Sequence, residues 1–134
     1  MKKYDNFCNC LRVLQKADFN NAYNDEIYRM GIIGQFDLTF ELAWKALQGV
    51  LRLHSVKGAD IGSPREIIKL GYEYGFVTDH EVWLLMLNKR NGNIHIYDDE
   101  AIDELLIMIR DSFIPAFESL AEVLRSKIES VDEC

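Results

Sequence analysis

The spacing of apolar residues constrains the fold of this chain more than any other feature of its sequence. Apolar residues recur at intervals of three and four along most of the 134 residues, and only two prolines are present. Such intervals place side chains on one face of an α-helix, whereas half-buried strands need strict alternation. We therefore predict an all-α protein, an up-and-down bundle of four to five antiparallel helices that forms a single domain over residues 1–134.

Capping signals sharpen the boundaries of the predicted helices. Ser63 can cap free backbone N–H groups, Pro64 suits the first helical position, and Glu66 completes a capping box. Glycine favours the end of a helix, which places the end of this one near Gly75. The predicted helices cover about residues 4–18, 26–53, 63–75, 78–89 and 98–128.

The long second helix carries apolar residues and two glycines. Glycine inside a helix costs about 1 kcal/mol relative to alanine, so Gly31 and Gly34 indicate a close approach of another helix, most simply a partner's. The predicted inward side consists of Ile27, Met30, Ile33 or Gly34, Leu38, Leu42, Ala46, Leu47 and Val50 or Leu51.

Charge and composition exclude several classes of protein. A net charge of −7 argues against a protein that coats nucleic acid through a broad basic surface. No apolar run approaches the ~20 residues of a membrane-spanning helix, and no signal peptide is visible, so we expect no membrane association and a cytoplasmic location. The three cysteines lack C-x-x-C spacing, and His54 and His80 are predicted to be surface residues without metal-site neighbours. We predict reduced thiols, no cofactor and no metal.

The most informative polar cluster lies between the fourth and last predicted helices, at Arg90-Asn91-Gly92-Asn93-Ile94-His95-Ile96-Tyr97. Arginine offers a permanent charge and a fork of donors that suits a phosphate, and histidine exchanges protons near neutral pH. Together they could cleave RNA through its 2′-hydroxyl without a metal. Spacing alone favours a helix C-cap, in which Arg90 binds the last carbonyls, Asn91 and Gly92 form the cap, and His95 and Tyr97 pack.

The pattern R-x4-H-x-Y formed by Arg90, His95 and Tyr97 resembles the motif of HEPN-superfamily proteins (higher eukaryotes and prokaryotes nucleotide-binding), and Asn91 fits the polar position after the arginine. Three further segments resemble one branch of that superfamily, the nucleotidyltransferase substrate-binding protein family. These segments are residues 31–45, 63–77 and 83–97.

The resemblance implies a homodimer in which two motifs face each other across the interface and form one cleft. It implies a metal-independent endoribonuclease toxin with Arg90, Asn91 and His95 as catalytic residues and RNA as substrate. It also implies a cognate minimal nucleotidyltransferase as antitoxin, which transfers AMP onto Tyr97. The added bulk and negative charge beside Arg90 would block an RNA phosphate. Because the chain is acidic, RNA binding requires a dimer that concentrates Lys89 and Arg90 from both copies.

Two other functions remain compatible with the sequence. The protein could be a non-catalytic substrate-binding or regulatory subunit of a two-component nucleotidyltransferase, or a bundle with a purely structural role. The sequence departs from the family's expected pattern at Gln35, where we expect arginine. Arg65 is a third site candidate, because a cation in the first turn of a helix needs an anionic partner. Glu41 and Lys45 are predicted to form an i, i+4 pair, and Trp44 to be a core or interface residue.

Overall fold

The computed structural model describes residues 1–90 and 98–132, and these residues form helices joined by short connections. A π-helical segment, Ile109–Phe113, joins the last two helices into one continuous rod. Counting that rod once, the described residues form five helices, which confirms the predicted all-α bundle. The helices are α1 (Lys2–Gln15), α2 (Glu26–Leu53), α3 (Pro64–Glu73), α4 (His80–Lys89), α5 (Asp99–Met108) and α6 (Ile114–Asp132).

Short polar side chains fix the starts of three helices. The carboxylate of Asp25 accepts the N–H of Tyr28 at the start of α2, and Asp98 accepts the N–H of Ala101 at the start of α5. The capping box predicted at the start of α3 is present, and Gly75 follows the end of that helix with a φ of +80°. These boundaries were predictable because each cap lies within a few residues of the helix it caps.

Aromatic side chains from four helices form the centre of the core. Phe36 on α2 stacks on Phe113 at 5.1 Å between ring centroids, and Phe117 meets Trp83 edge-on at 5.6 Å. Phe7 on α1 packs against Phe117 at 6.1 Å. All five side chains are fully buried, so this cluster ties α1, α2 and α4 to the C-terminal rod.

The contacts along α2 define the directions of the long helices. α1 is antiparallel to α2, because Met1 packs on Gly49 while Cys10 bonds Gln35. The C-terminal rod runs in the same direction as α2, since the contacting residues advance together on both helices. The pairs are Arg29 with Asp99, Phe36 with Phe113, and His54 with Lys127.

The inward face predicted for α2 is partly wrong. Ile27 is 86% exposed, Leu38 is 48% exposed and Met30 is also at the surface. The helix is apolar on more than one side, and periodicity alone does not tell which side meets the core. The bulkier aromatic side is the one buried. It comprises Ile32, Ile33, Phe36, Thr39, Phe40, Ala43, Ala46, Leu47, Val50 and Leu51.

The two glycines of α2 singled out by the sequence do not mark a close approach among the described residues. A Cβ added at Gly31 or Gly34 would meet nothing within 4 Å. A close approach occurs instead at Gly71 on α3, where an added Cβ would lie 2.9 Å from Leu47 and 3.1 Å from Val77. The described residues therefore supply no such approach, and the approach of a partner helix stays a prediction.

The π-helical segment keeps one side of the C-terminal rod against the core. Ile109, Phe113 and Phe117 follow at steps of four, which a regular α-helix would progressively rotate away from one face. The wider π-turn absorbs the excess, and all three side chains are fully buried. Within the two described ranges, no helix has both the length and the apolar character needed to cross a membrane.

Candidate functional site

Arg90 lies where the chain leaves α4. Its N–H donates to the carbonyl of Met86 at 2.9 Å, and its own backbone is already extended, with φ −69° and ψ 157°. The helix therefore ends at this residue, and the side chain is carried at the C-terminal end of a rigid element. About a third of the side chain is exposed.

The guanidinium of Arg90 reaches across to α2. Its Nη1 lies 3.4 Å from Oε2 of Glu41, and its central carbon lies 5.4 Å from the centre of the Phe40 ring. A cation over an aromatic face is favourable, and the carboxylate draws the guanidinium to one side of that ring. A C-cap alone would not require contacts with a helix 49 residues away in sequence.

The aromatic ring beneath Arg90, that of Phe40, belongs to the core. Phe40 is fully buried and packs on Trp83 of α4 with ring centroids 6.1 Å apart. The same helix thus supplies the arginine and the tryptophan that supports its aromatic platform. Packing of the core consequently fixes where the charge is held.

Glu41 is shared between two cations. Besides Arg90, it pairs with Lys45 at 3.5 Å, which confirms the predicted i, i+4 pair. The contact with Arg90 was not predicted, since nothing in the spacing of residues so distant in sequence indicates it. Its only sequence signal is the family resemblance of residues 31–45, which include Glu41.

A second ion-pair group fastens the start of α5 to α2. Arg29 lies 3.3 Å from Asp99 and 3.5 Å from Asp103, and only 14% of its side chain is exposed. The described chain on both sides of residues 91–97 is therefore tied to α2, at Glu41 on one side and at Arg29 on the other. Sequence reasoning missed this group as well.

The other predicted site residues are placed as follows. Asn91, His95 and Tyr97 lie outside the described residues. Arg65 is exposed in the first turn of α3, and no ion pair with another described residue is recorded for it. Gln35 donates from Nε2 to the carbonyl of Cys10 at 3.0 Å, so this side chain joins α2 to α1.

The two described histidines are half-buried, and both make contacts that the sequence did not predict. His54 packs edge-on against Phe76 and its Nε2 lies 2.9 Å from the carbonyl of Lys127. His80 stacks on Tyr72 at 4.6 Å, and its Nε2 is buried with no hydrogen-bond partner among the described residues. Neither lies in a group of three or more His, Cys, Asp or Glu that could hold a metal within residues 1–90 and 98–132.

A shallow groove lies between α1 and the first half of α2. It encloses about 280 Å³ and is lined by Val13, Ala17, Tyr28 and Gly31 among others. Beside Gln35, which lines this groove, burial raises the pKa of the Cys10 thiol, and a side-chain hydrogen bond between Gln35 and the thiol only partly opposes that rise. Cys10 therefore stays a protonated thiol at neutral pH, which fits a structural side chain better than a nucleophile.

Comparison with known proteins places these features in a family. The family model described as "Nucleotidyltransferase substrate binding protein like" matches residues 2–126. The chain is 27% identical over 99 residues to "Probable ribonuclease HepT" of Haemophilus influenzae, a match that covers 72% of this chain and 67% of the relative. It also matches a crystal structure of a protein from Thermus thermophilus at 26% identity, with a TM-score of 0.72 and coverage of 89% of this chain and 98% of the other. These matches confirm the resemblance predicted from the sequence motifs.

Proposed function

Because this chain belongs to the nucleotidyltransferase substrate-binding protein-like family, we propose that it is a metal-independent endoribonuclease toxin, neutralised by a cognate nucleotidyltransferase. The relative named as a probable ribonuclease supports the activity. The observation that carries the proposal is the guanidinium of Arg90, held over Phe40 by Glu41 beside the segment with the R-x4-H-x-Y pattern.

In this proposal each side chain of the motif has one task. Arg90 stabilises the negative charge that builds on the phosphate as the 2′-oxygen attacks phosphorus. His95 takes the proton of the 2′-hydroxyl, and the His95 of a second copy gives a proton to the leaving 5′-oxygen. Asn91 donates a hydrogen bond that orients the phosphate. The products are a 2′,3′-cyclic phosphate and a free 5′-hydroxyl.

The second copy docks on the exposed apolar part of α2. Ile27, Met30 and Leu38 are exposed there, and Gly31 and Gly34 leave open space between them. Leu38 lies one helical turn before Glu41, the partner of Arg90, so pairing through this surface brings the arginines of both copies near the interface. The composite cleft therefore requires a homodimer.

The antitoxin partner acts on Tyr97 in this proposal. Transfer of AMP from ATP to the phenol forms a phosphodiester and releases pyrophosphate. The new phosphate then competes with RNA for the positive charge of Arg90. Mixing the protein with its cognate nucleotidyltransferase and ATP should raise the mass of the chain by one AMP, and Tyr97→Phe should abolish that increase.

Cleavage itself is tested with purified protein and a labelled single-stranded RNA in the presence of EDTA. Wild type should cut the RNA and leave cyclic-phosphate ends, whereas Arg90→Gln and His95→Ala should each lower the rate at least ~100-fold. Arg12→Gln, an exposed change on α1, serves as the matched control. Equal activity of wild type and His95→Ala would rule out the proposed proton transfer.

The description of the family favours a second candidate function. The family description refers to a substrate-binding protein of a nucleotidyltransferase. Such a protein would be a non-catalytic subunit. A stable complex with the nucleotidyltransferase, without RNA cleavage and without transfer of AMP to Tyr97, would favour this function over the toxin.

A further inference from the structure

The exposed side of α2 continues beyond Glu41 as a row of positive charges. Positions 41, 45, 49 and 52 lie on one face of the helix, because steps of four, four and three residues return to nearly the same direction. Arg90 is held at the first position, and Lys45 occupies the second. Arg52 occupies the fourth position.

Gly49 fills the third position, and α1 supplies its cation. The absence of a side chain lets the start of α1 lie directly on α2: an added Cβ at Gly49 would lie 2.6 Å from the methyl carbon of Met1 and 3.6 Å from Cδ of Lys3. The stem of Lys3 therefore lies against the helix at this point. Each turn of α2 from Glu41 to Arg52 thus has a cation, at rises of about 6, 6 and 4.5 Å.

An open cavity marks the end of this row. It has a volume of about 540 Å³, and its lining includes Lys2, Lys3 and Arg52 together with the carboxylate of Asp60. Asp60 is 85% exposed and lies 3.2 Å from Nε of Arg52. An exposed pair of this kind is weak, so an incoming phosphate, which arginine binds through two parallel hydrogen bonds, can replace the carboxylate.

We propose that Lys45, Lys3 and Arg52 form a track that binds the phosphate backbone of single-stranded RNA and leads it to Arg90. The inference rests on the proposed function, because the track binds the part of the RNA strand that adjoins the phosphate cleaved at Arg90. The spacing of the cations is of the order of the distance between successive phosphates in an extended strand. Since the chain has a net charge of −7, RNA needs such a local positive row to approach it.

The track and the proposed dimer surface use different halves of α2. The apolar stretch with the two open glycines ends at Leu38, and the cations begin with the pair at Glu41. Pairing of two copies through the first half therefore leaves the second half accessible. It also gives one dimer two tracks, each of which ends on an Arg90 at the shared cleft.

The test measures RNA binding and RNA cleavage separately. Binding of a labelled 12-nucleotide single-stranded RNA is followed by fluorescence anisotropy as salt is varied, with His95→Ala present in every protein to prevent cleavage. The track variant combines Lys3→Gln, Lys45→Gln and Arg52→Gln. The matched control removes the same charge elsewhere through Arg12→Gln, Lys69→Gln and Arg125→Gln, all on exposed side chains.

The track variant should bind at least 10-fold more weakly, and its slope of log affinity against log salt should fall by about 2, at ~0.7 for each lost phosphate contact. The control should change affinity less than 3-fold. Asp60→Asn, which removes the competing carboxylate, should tighten binding 2- to 3-fold. Equal weakening in both triple variants, or no weakening in the track variant, would overturn the track.

Cleavage of a dinucleotide separates the track from the catalytic proposal. A dinucleotide occupies only the site at Arg90, so the three track substitutions without His95→Ala should raise KM for the 12-nucleotide RNA at least 10-fold more than KM for the dinucleotide. If the wild type binds RNA through the track but does not cleave it, the proposed track is retained and the proposed ribonuclease activity is rejected. If the track variant loses binding to the cognate nucleotidyltransferase but still binds RNA, the row is a protein-docking surface and the proposal is overturned.

Discussion

Arg29 on α2 lies 3.3 Å from Asp99, the first residue of α5. Twelve residues further along the same helix, Glu41 binds Arg90 at the end of α4. The two anchors are therefore about 18 Å apart along α2 at 1.5 Å per residue. One helix thus holds the chain on both sides of the segment that contains Asn91, His95 and Tyr97.

Replacing Arg29 with methionine should destabilise the protein. The substitution keeps much of the apolar stem but leaves Asp103, which has a buried carboxylate oxygen, without its cation. We expect a loss of about 1–2 kcal/mol in the free energy of unfolding, measured by urea denaturation. Arg110→Met is the control, because Arg110 is exposed and pairs with the adjacent Asp111 on the same helical rod. Equal losses in the two variants would show that the ion pairs of Arg29 with α5 contribute no more to stability than an exposed surface pair.

Replacing Glu41 with glutamine should affect turnover more than stability. Partly exposed ion pairs contribute about 0–1 kcal/mol, so the melting temperature should change little. The guanidinium of Arg90 loses the charge that draws it to one side of Phe40, and a misplaced catalytic group can cost up to ~100-fold in rate. We expect kcat on RNA to fall at least ~10-fold with KM unchanged or lower, since a negative charge is removed. Glu41→Asp should restore part of kcat.

The control for this variant is Glu122→Gln on α6, which breaks an exposed pair with Arg125. Steady-state cleavage of labelled RNA should give wild-type kcat for the control. If Glu41→Gln keeps the kcat of wild type, Glu41 does not position Arg90 for catalysis.

Substitutions at Gly34 should separate folding from dimerisation. Alanine fits into open space and improves the helix, so Gly34→Ala should raise the free energy of unfolding by about 0.5–1 kcal/mol. Gly34→Arg has room in the monomer but places a charge in the proposed interface. Analytical ultracentrifugation should show a dimer for the wild type and a folded monomer for Gly34→Arg. A dimer of unchanged strength in Gly34→Arg would move the interface elsewhere.

Alanine at Gly71 should have the opposite effect. Its Cβ would meet both methyl groups of Leu47, at 2.9 and 3.1 Å, and a methyl group of Val77. Overpacking of this kind costs about 1–3 kcal/mol, against a gain of about 1 kcal/mol in helix propensity. We expect a net loss of about 1 kcal/mol in thermal or urea unfolding. A more stable Gly71→Ala would mean that α3 can shift away from α2 at little cost.

Local features of the fold could be read from the sequence, and long-range contacts could not. The extent of α2 and the capping box at Ser63 were predictable because the deciding residues are near neighbours. The buried side of α2 was misassigned because both of its sides carry apolar residues. The ion pairs of Arg29 and Arg90 depend on which helices become neighbours in space, and periodicity does not contain that information.

The candidate site could be predicted only in part. Arg90 was singled out by its charge and by the family motif, whereas Phe40 and Glu41 emerged as its partners only in three dimensions. The glycines illustrate the same limit. Gly31, Gly34 and Gly71 are all helical, but only the packing around them shows that, of these three, Gly71 lies against another helix.

The π-helical turn between α5 and α6 determines how α6 is rotated about its axis relative to α5. It allows Ile109, Phe113 and Phe117 to share one side of the rod although they follow at steps of four. Inserting one further residue in α-helical conformation between Phe113 and Phe117 would rotate everything beyond it by about 100°, turning the apolar stripe of α6 away from the core. Substitutions in this stretch are therefore easier to accommodate than an insertion.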